Sequence, residues 1–163
     1  MLVIADSSPL HYLVLIDQAA ILPRLFGQVL IPPMVARELQ RDRTPPPVRD
    51  WIGSPPPWLE IRSIHRTPEA ALLRLGAGER EAIVLAEEVQ AALLLMDDLE
   101  GREEAARRAL LVMGTLGVLE RAAERGWLDL PAAIARLQAT SFYAPAAMIR
   151  EMLARDAARK GSA

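Results

Sequence analysis

The chain has 163 residues, 52% of them apolar and 25% charged, with a formal net charge of −2. Those fractions exclude a disordered chain, and thirteen prolines against nine glycines follow no collagen period. Cysteine is absent, which excludes disulfides, thiol nucleophiles and thiolate metal sites; with only His11 and His65 as imidazoles, any metal must be held by oxygen.

The length suits a single domain, residues 1–163, with about 130–163 read as a helical extension. No apolar run is long enough to cross a membrane: Leu10 to Ile16 is short and closes at Asp17. The first residues also lack the basic flank of a signal peptide, so a cytoplasmic protein is expected. Residues 1–98 carry nine basic and thirteen acidic side chains, whereas 99–163 carry ten and eight. All basic residues but Lys160 are arginine. That bias permits a nucleic-acid partner and fits a GC-rich genome equally well, so composition names no ligand.

In chain order, strand and helix alternate. Leu2–Ala5 reads as a doubly buried strand ending at Asp6, and Ser7-Ser8-Pro9 opens a helix toward Asp17. A short helix is expected over Gln18–Phe26 and a strand over Gln28–Ile31; Pro32-Pro33 then opens a helix through Leu39. Residues 42–58, with two triple-proline runs around Trp51 and Ile52, are expected to be a packed loop. Trp58–Ile64 alternates like an edge strand. Glu79–Val89 is amphipathic and helical, Ala92–Met96 is a buried strand ending at Asp97-Asp98, and Arg102–Ala109 is a helix. Leu110–Met113 is a strand, Thr115–Arg125 a helix stopped by Gly126, and Asp129-Leu130-Pro131 and Ala144-Pro145 start two more helices. Short apolar strands separated by helices predict an α/β fold, three layers α/β/α, with a parallel sheet of four to five strands.

In such sheets ligands bind beyond the carboxyl ends of the strands. Asp6 and the Asp97-Asp98 pair follow two strands directly, Glu79 and Glu81 open a helix, and Glu38 lies late in the helix after Pro33. Each acid alone has a plain structural role as helix cap, dipole acid or arginine partner. Gathered at one rim they would repel one another, and the natural counter-charge is a hard divalent cation, Mg²⁺ or Mn²⁺.

Five segments carry a resemblance: Ile4-Ala5-Asp6-Ser7-Ser8-Pro9-Leu10, Val29-Leu30-Ile31-Pro32, Leu75 through Ile83 (Leu-Gly-Ala-Gly-Glu-Arg-Glu-Ala-Ile), Leu94-Leu95-Met96-Asp97-Asp98 and Gly114-Thr115-Leu116-Gly117. In this order and spacing, over about residues 2–125, the chain resembles the PIN-domain nucleases, particularly the toxin-like branch related to VapC. The resemblance implies a metal-dependent endoribonuclease, acting as the toxin of a toxin–antitoxin pair. Asp6, Glu38, Glu81 and Asp98 match the family's acidic set. The doubled acids leave Glu79 against Glu81, and Asp97 against Asp98, open as metal ligands. Ser7 or Ser8 would hydrogen-bond near the metal, and Thr115 would lie near the substrate phosphate. Arg102, Arg107 and Arg108 are candidates for flanking phosphates, Arg107 more plainly a partner of Glu103 and Glu104. RNA is the implied substrate, with a cognate antitoxin and a homodimer as the implied partners; a first helix richer in apolar residues than one-sided burial needs agrees with a dimer.

Other acid-bearing α/β folds fit less well. There is no Gly-x-x-x-x-Gly-Lys-Ser/Thr loop, Ser8 breaks an Asp-x-Asp motif, and the only lysine lies in the tail, which removes a receiver-type site. The rival from another class is a non-catalytic PIN-like module that binds RNA or a protein. His11, His65, Trp51, Trp58 and Trp127 are read as packing or surface residues, since they form no basic–aromatic stripe.

Overall fold

The structure, a computed structural model, describes residues 1–162. Its centre is a five-stranded sheet, all parallel, in the order β3-β2-β1-β4-β5. The strands are β1 (Val3–Ala5), β2 (Val29–Ile31), β3 (Leu59–Ile61), β4 (Leu93–Leu95) and β5 (Val112–Met113). Val3, Ile4 and Ala5 are completely buried, as are Val29, Leu30 and Ile31. Uninterrupted apolar runs of this kind belong to strands covered by helices on both faces. The result is the three-layer α/β/α fold, with β3 at the edge where its alternation placed it.

The helices follow the sequence signals closely. They are α1 (Ser7–Leu15), α2 (Ile21–Phe26), α3 (Pro33–Leu39), α4 (Pro46–Gly53), α5 (Ala77–Glu88), α6 (Leu99–Arg107), α7 (Thr115–Glu124), α8 (Leu130–Gln138) and α9 (Ala146–Gly161). One expectation is corrected. The proline-rich stretch is not all loop, because residues 46–53 form α4 and bury Val48 and Ile52. Its prolines stand in the first helical turn, where a missing N–H costs nothing and a fixed φ favours the helix. Helix α6 also starts three residues earlier than expected, since the Asp98 side chain caps it by accepting from the Gly101 N–H at 2.9 Å. Gly126, at φ 73°, ends the α7 region in the left-handed conformation that suits glycine.

The chain forms two compact units, divided after Thr115. The first holds the whole sheet. Its chain runs outward from β1 to β2 and β3, then returns to place β4 on the other side of β1. The order therefore reverses between β1 and β4, and that crevice lies beyond the two strand ends that carry Asp6 and Asp97. The second unit holds the remainder of α7 with α8 and α9. Within it Arg155 bonds Glu120 at 3.0 Å, and Lys160 bonds the buried Asp156 at 2.8 Å. Among the described residues no helix is long and apolar enough to cross a membrane.

Candidate active site

Asp6 follows β1 directly, and its backbone N–H donates to the Leu95 carbonyl of β4 at 2.8 Å. This bond locks the residue into the crevice where the strand order reverses. Asp6 occupies the N-cap position of α1, yet its side chain makes no capping bond. The residue is only 3% exposed, and its Oδ1 has no hydrogen-bond partner. A buried carboxylate oxygen without a donor is rare, because the desolvation is uncompensated. Burial chiefly, then the nearby charges of Glu79, Glu38 and Asp97, push its pKa to about 8, against a smaller opposing effect of the Ser7 backbone N–H.

Three further acids surround it. Glu38, on α3, accepts from the Ser7 hydroxyl through Oε2 and from the Gly78 N–H through Oε1, both at 2.8 Å. Glu79 lies in the first turn of α5 and accepts from the Gly76 N–H at 3.3 Å. Burial and the charge of Asp98 raise its pKa above the usual carboxylate range. Asp97 accepts two bonds from Thr115, from the backbone N–H and from the hydroxyl, each at 2.7 Å. Burial still raises the Asp97 pKa, eased by Thr115 and by the Arg102 charge.

The structure therefore brings the charges of Glu38, Glu79 and Asp97 to bear on Asp6, and that of Asp98 to bear on Glu79. It gives the other members of each doubled pair different partners. Glu81 accepts from the Met34 N–H at 2.9 Å and so satisfies the start of α3. Asp98 is exposed and caps α6. Ser7 binds Glu38, and Ser8 lines a cavity with Ser7 and Glu38. Thr115, fully buried, is the clamp on Asp97. Arg102 is exposed with its charge felt at Asp97. Arg107 and Arg108 are engaged elsewhere: both bind Glu104, and Arg108 also reaches Glu69 and Glu87. Both arginines are thus paired with acids, as the Glu104 pairing expected for Arg107 implies.

Two glycines complete the site, and the sequence reading missed their role. A Cβ at Gly78 would stand 2.5 Å from Glu38 Oε2, and one at Gly114 would stand 2.9 Å from Asp97 Oδ1. Each glycine marks where backbone must approach a carboxylate. The signal was present in the Gly-Ala-Gly-Glu and Gly-Thr-Leu-Gly runs, though nothing in sequence showed which acid each glycine faces.

Among the described residues no group of three or more His, Asp or Glu side chains is placed to hold a metal ion. The donor set nonetheless has the chemistry a hard cation takes: carboxylate oxygens only, with one oxygen on Asp6 unpartnered. Mg²⁺ characteristically keeps several waters and uses one or two carboxylates plus substrate phosphate, which suits such a site better than a closed cage would. Asp6 offers the free carboxylate oxygen, and the charges of Glu79, Glu38 and Asp97 are felt at it.

A parallel α/β domain with an acid cluster at its switch point is the class the fold and site define. The family model DUF3368, described as a PIN domain, matches residues 2–157, so the chain belongs to the PIN-domain family, whose members are generally nucleases. Among solved structures it is similar to a PilT N-terminus domain protein from the hyperthermophilic archaeon Sulfolobus solfataricus P2. The identity is 15%, the TM-score 0.51, and the match covers 89% of this chain and 100% of that one. No curated protein matches the sequence.

Proposed function

We propose that this chain is a metal-dependent endoribonuclease that hydrolyses RNA phosphodiester bonds at the Asp6 cluster. The observation that carries the reading is the buried Asp6 carboxylate, with a partnerless oxygen and three acidic neighbours. A buried carboxyl so placed, with its pKa raised to about 8, holds its proton near neutral pH unless a cation balances the charge. Mg²⁺ or Mn²⁺ on Asp6 would supply a bound water of lowered pKa and neutralise charge on the scissile phosphate.

The remaining work falls to side chains of this protein. Ser7 and the Gly78 N–H fix the Glu38 carboxylate facing the cluster. Thr115 fixes Asp97 with two short bonds. Arg102 stands beside Asp97 as the group to grip a neighbouring phosphate, a task for which its planar fork is suited. The finer reading makes the chain the toxin of a toxin–antitoxin pair, working as a homodimer restrained by its antitoxin. Its support is the motif series of the VapC-like branch and a first helix whose Tyr12, Val14 and Leu15 are only partly buried.

The test is cleavage of end-labelled single-stranded RNA in Mg²⁺, in Mn²⁺ and in EDTA, with the wild type and Asp6→Asn. The reading expects metal-dependent cleavage by the wild type and none by the variant. Equal cleavage by both, or none by the wild type with either metal, would leave the chain a binding module.

A further inference from the structure

Beside the acid cluster lies a groove of about 300 Å³ between α1 and the turn that follows α3. Ser7 and Glu38 belong to both, so the groove opens onto the cluster. Arg41 and Arg43 also line it, both exposed and without an ion pair through the guanidinium among the described residues. Asp42, between them in sequence, is exposed and does not line the groove.

The turn that carries these arginines is held in place. Arg41 N–H donates to the Glu38 carbonyl at 3.3 Å, Thr44 N–H to the Arg41 carbonyl at 3.0 Å, and Thr44 Oγ1 to the Glu38 carbonyl at 3.1 Å. From α1 the groove receives His11 and Tyr12, whose rings meet edge to face with centroids 4.8 Å apart. Partial burial holds the His11 pKa below its usual value. Two arginines and two aromatic rings lining one groove match the two halves of a nucleotide: a phosphate and a flat base. The volume is at the small end of ligand sites, right for one unit of a strand and too small for a duplex.

We infer that this groove binds one unpaired nucleotide of a single-stranded RNA, with Arg41 and Arg43 on its phosphate and Tyr12 and His11 against its base. The subsite rests on the nuclease reading and deepens it: the strand would run from the groove past Ser7 and Glu38 to Asp6. It also selects single strands, because a paired base cannot reach the rings.

The experiment measures anisotropy of an end-labelled single-stranded RNA hexamer in EDTA, where binding is read without cleavage. Arg41→Ala/Arg43→Ala is expected to weaken binding about tenfold and to lower the salt slope by about 0.7, as losing one phosphate contact does. Tyr12→Leu should also weaken it, with Tyr12→Phe restoring it, while Arg136→Ala on the second unit changes nothing. Unchanged affinity in the double-arginine variant, or no binding by the wild type, overturns the subsite. So does a variant that keeps RNA affinity and loses only an acidic peptide, which would assign the groove to a protein partner. Binding that depends on the arginines without cleavage in any metal would sink the nuclease reading and leave the subsite standing. Normal cleavage and KM in the double variant would do the reverse.

Discussion

The Glu38 carboxylate occupies the space that a side chain at Gly78 would need. One of its oxygens accepts the Gly78 N–H at 2.8 Å, and the other would lie 2.5 Å from a Cβ there. Residues forty apart in sequence are thereby fitted to each other, and the start of α5 is docked on α3. The Ser7 hydroxyl holds the same carboxylate from the β1 side. Three elements thus converge on one acid beside Asp6.

A methyl group at Gly78 should displace Glu38 without unfolding the chain, because the colliding atoms are the end of a flexible side chain. Gly78→Ala is expected to lower stability by about 1 kcal/mol, the order of one lost charged hydrogen bond. Thermal melting would show a fall of about 2–4 °C. RNA cleavage should fall by about tenfold or more. Full activity in a variant with that melting change would show that the orientation of Glu38 is immaterial.

Asp6 predicts an unusual pH dependence. Its carboxyl titrates near 3.8 when unfolded and near 8 when folded. Between these values the folded chain binds the extra proton, so stability falls as pH rises from about 4 to about 8. Asp6→Asn should flatten that part of the curve and be the more stable protein at pH 8 without metal. Mg²⁺ should raise the melting temperature more at pH 8 than at pH 5, since it competes with the proton. Denaturant melts at several pH values, with and without Mg²⁺, check both statements.

Much of this was legible in sequence. Buried strands showed as short apolar runs, Asp6 and Asp97 stood at strand ends, and the order of motifs gave the family. The partners of the doubled acids were only partly legible, because some depend on packing between distant segments. Glu81 bonds Met34 on α3, forty-seven residues away, which has no local signature, whereas the Asp98 cap on Gly101 is local and its role as a helix cap was open to reading. Helix α4 was hidden by its prolines, whose effect depends on whether they fall in the first turn or later. The groove that Arg41 and Arg43 line together with His11 and Tyr12 was not legible either, because it joins two separate segments.

The doubled acids should separate on substitution. Glu79→Gln and Asp97→Asn are expected to weaken cation binding and cleavage by about tenfold or more. Glu81→Gln and Asp98→Asn retain a carbonyl oxygen for Met34 and Gly101, and should stay within about threefold of wild type. A metal titration on the four variants, with cleavage rates alongside, ranks them. The opposite ranking would move the ligand role to Glu81 and Asp98.

Thr115 is completely buried and gives Asp97 both of its bonds. Thr115→Val keeps the shape and the backbone bond, and leaves one Asp97 oxygen without its hydroxyl donor. A loss of about 1–3 kcal/mol is expected, together with an Asp97 pKa raised further. Urea melts measure the first and carboxyl NMR titration the second. A Thr115→Val variant as stable as wild type would mean that another donor reaches Asp97.

The central claim is that the Asp6 cluster takes a divalent cation, and calorimetric titration with Mn²⁺ tests it most directly. Wild type should bind Mn²⁺ below millimolar concentration at pH 8, releasing protons because Asp6 gives up its own on binding. Asp6→Asn, folded by circular dichroism, should give neither the binding heat nor the proton release. A wild type without Mn²⁺ binding at millimolar concentration, or a variant that binds as well as wild type, would contradict the account.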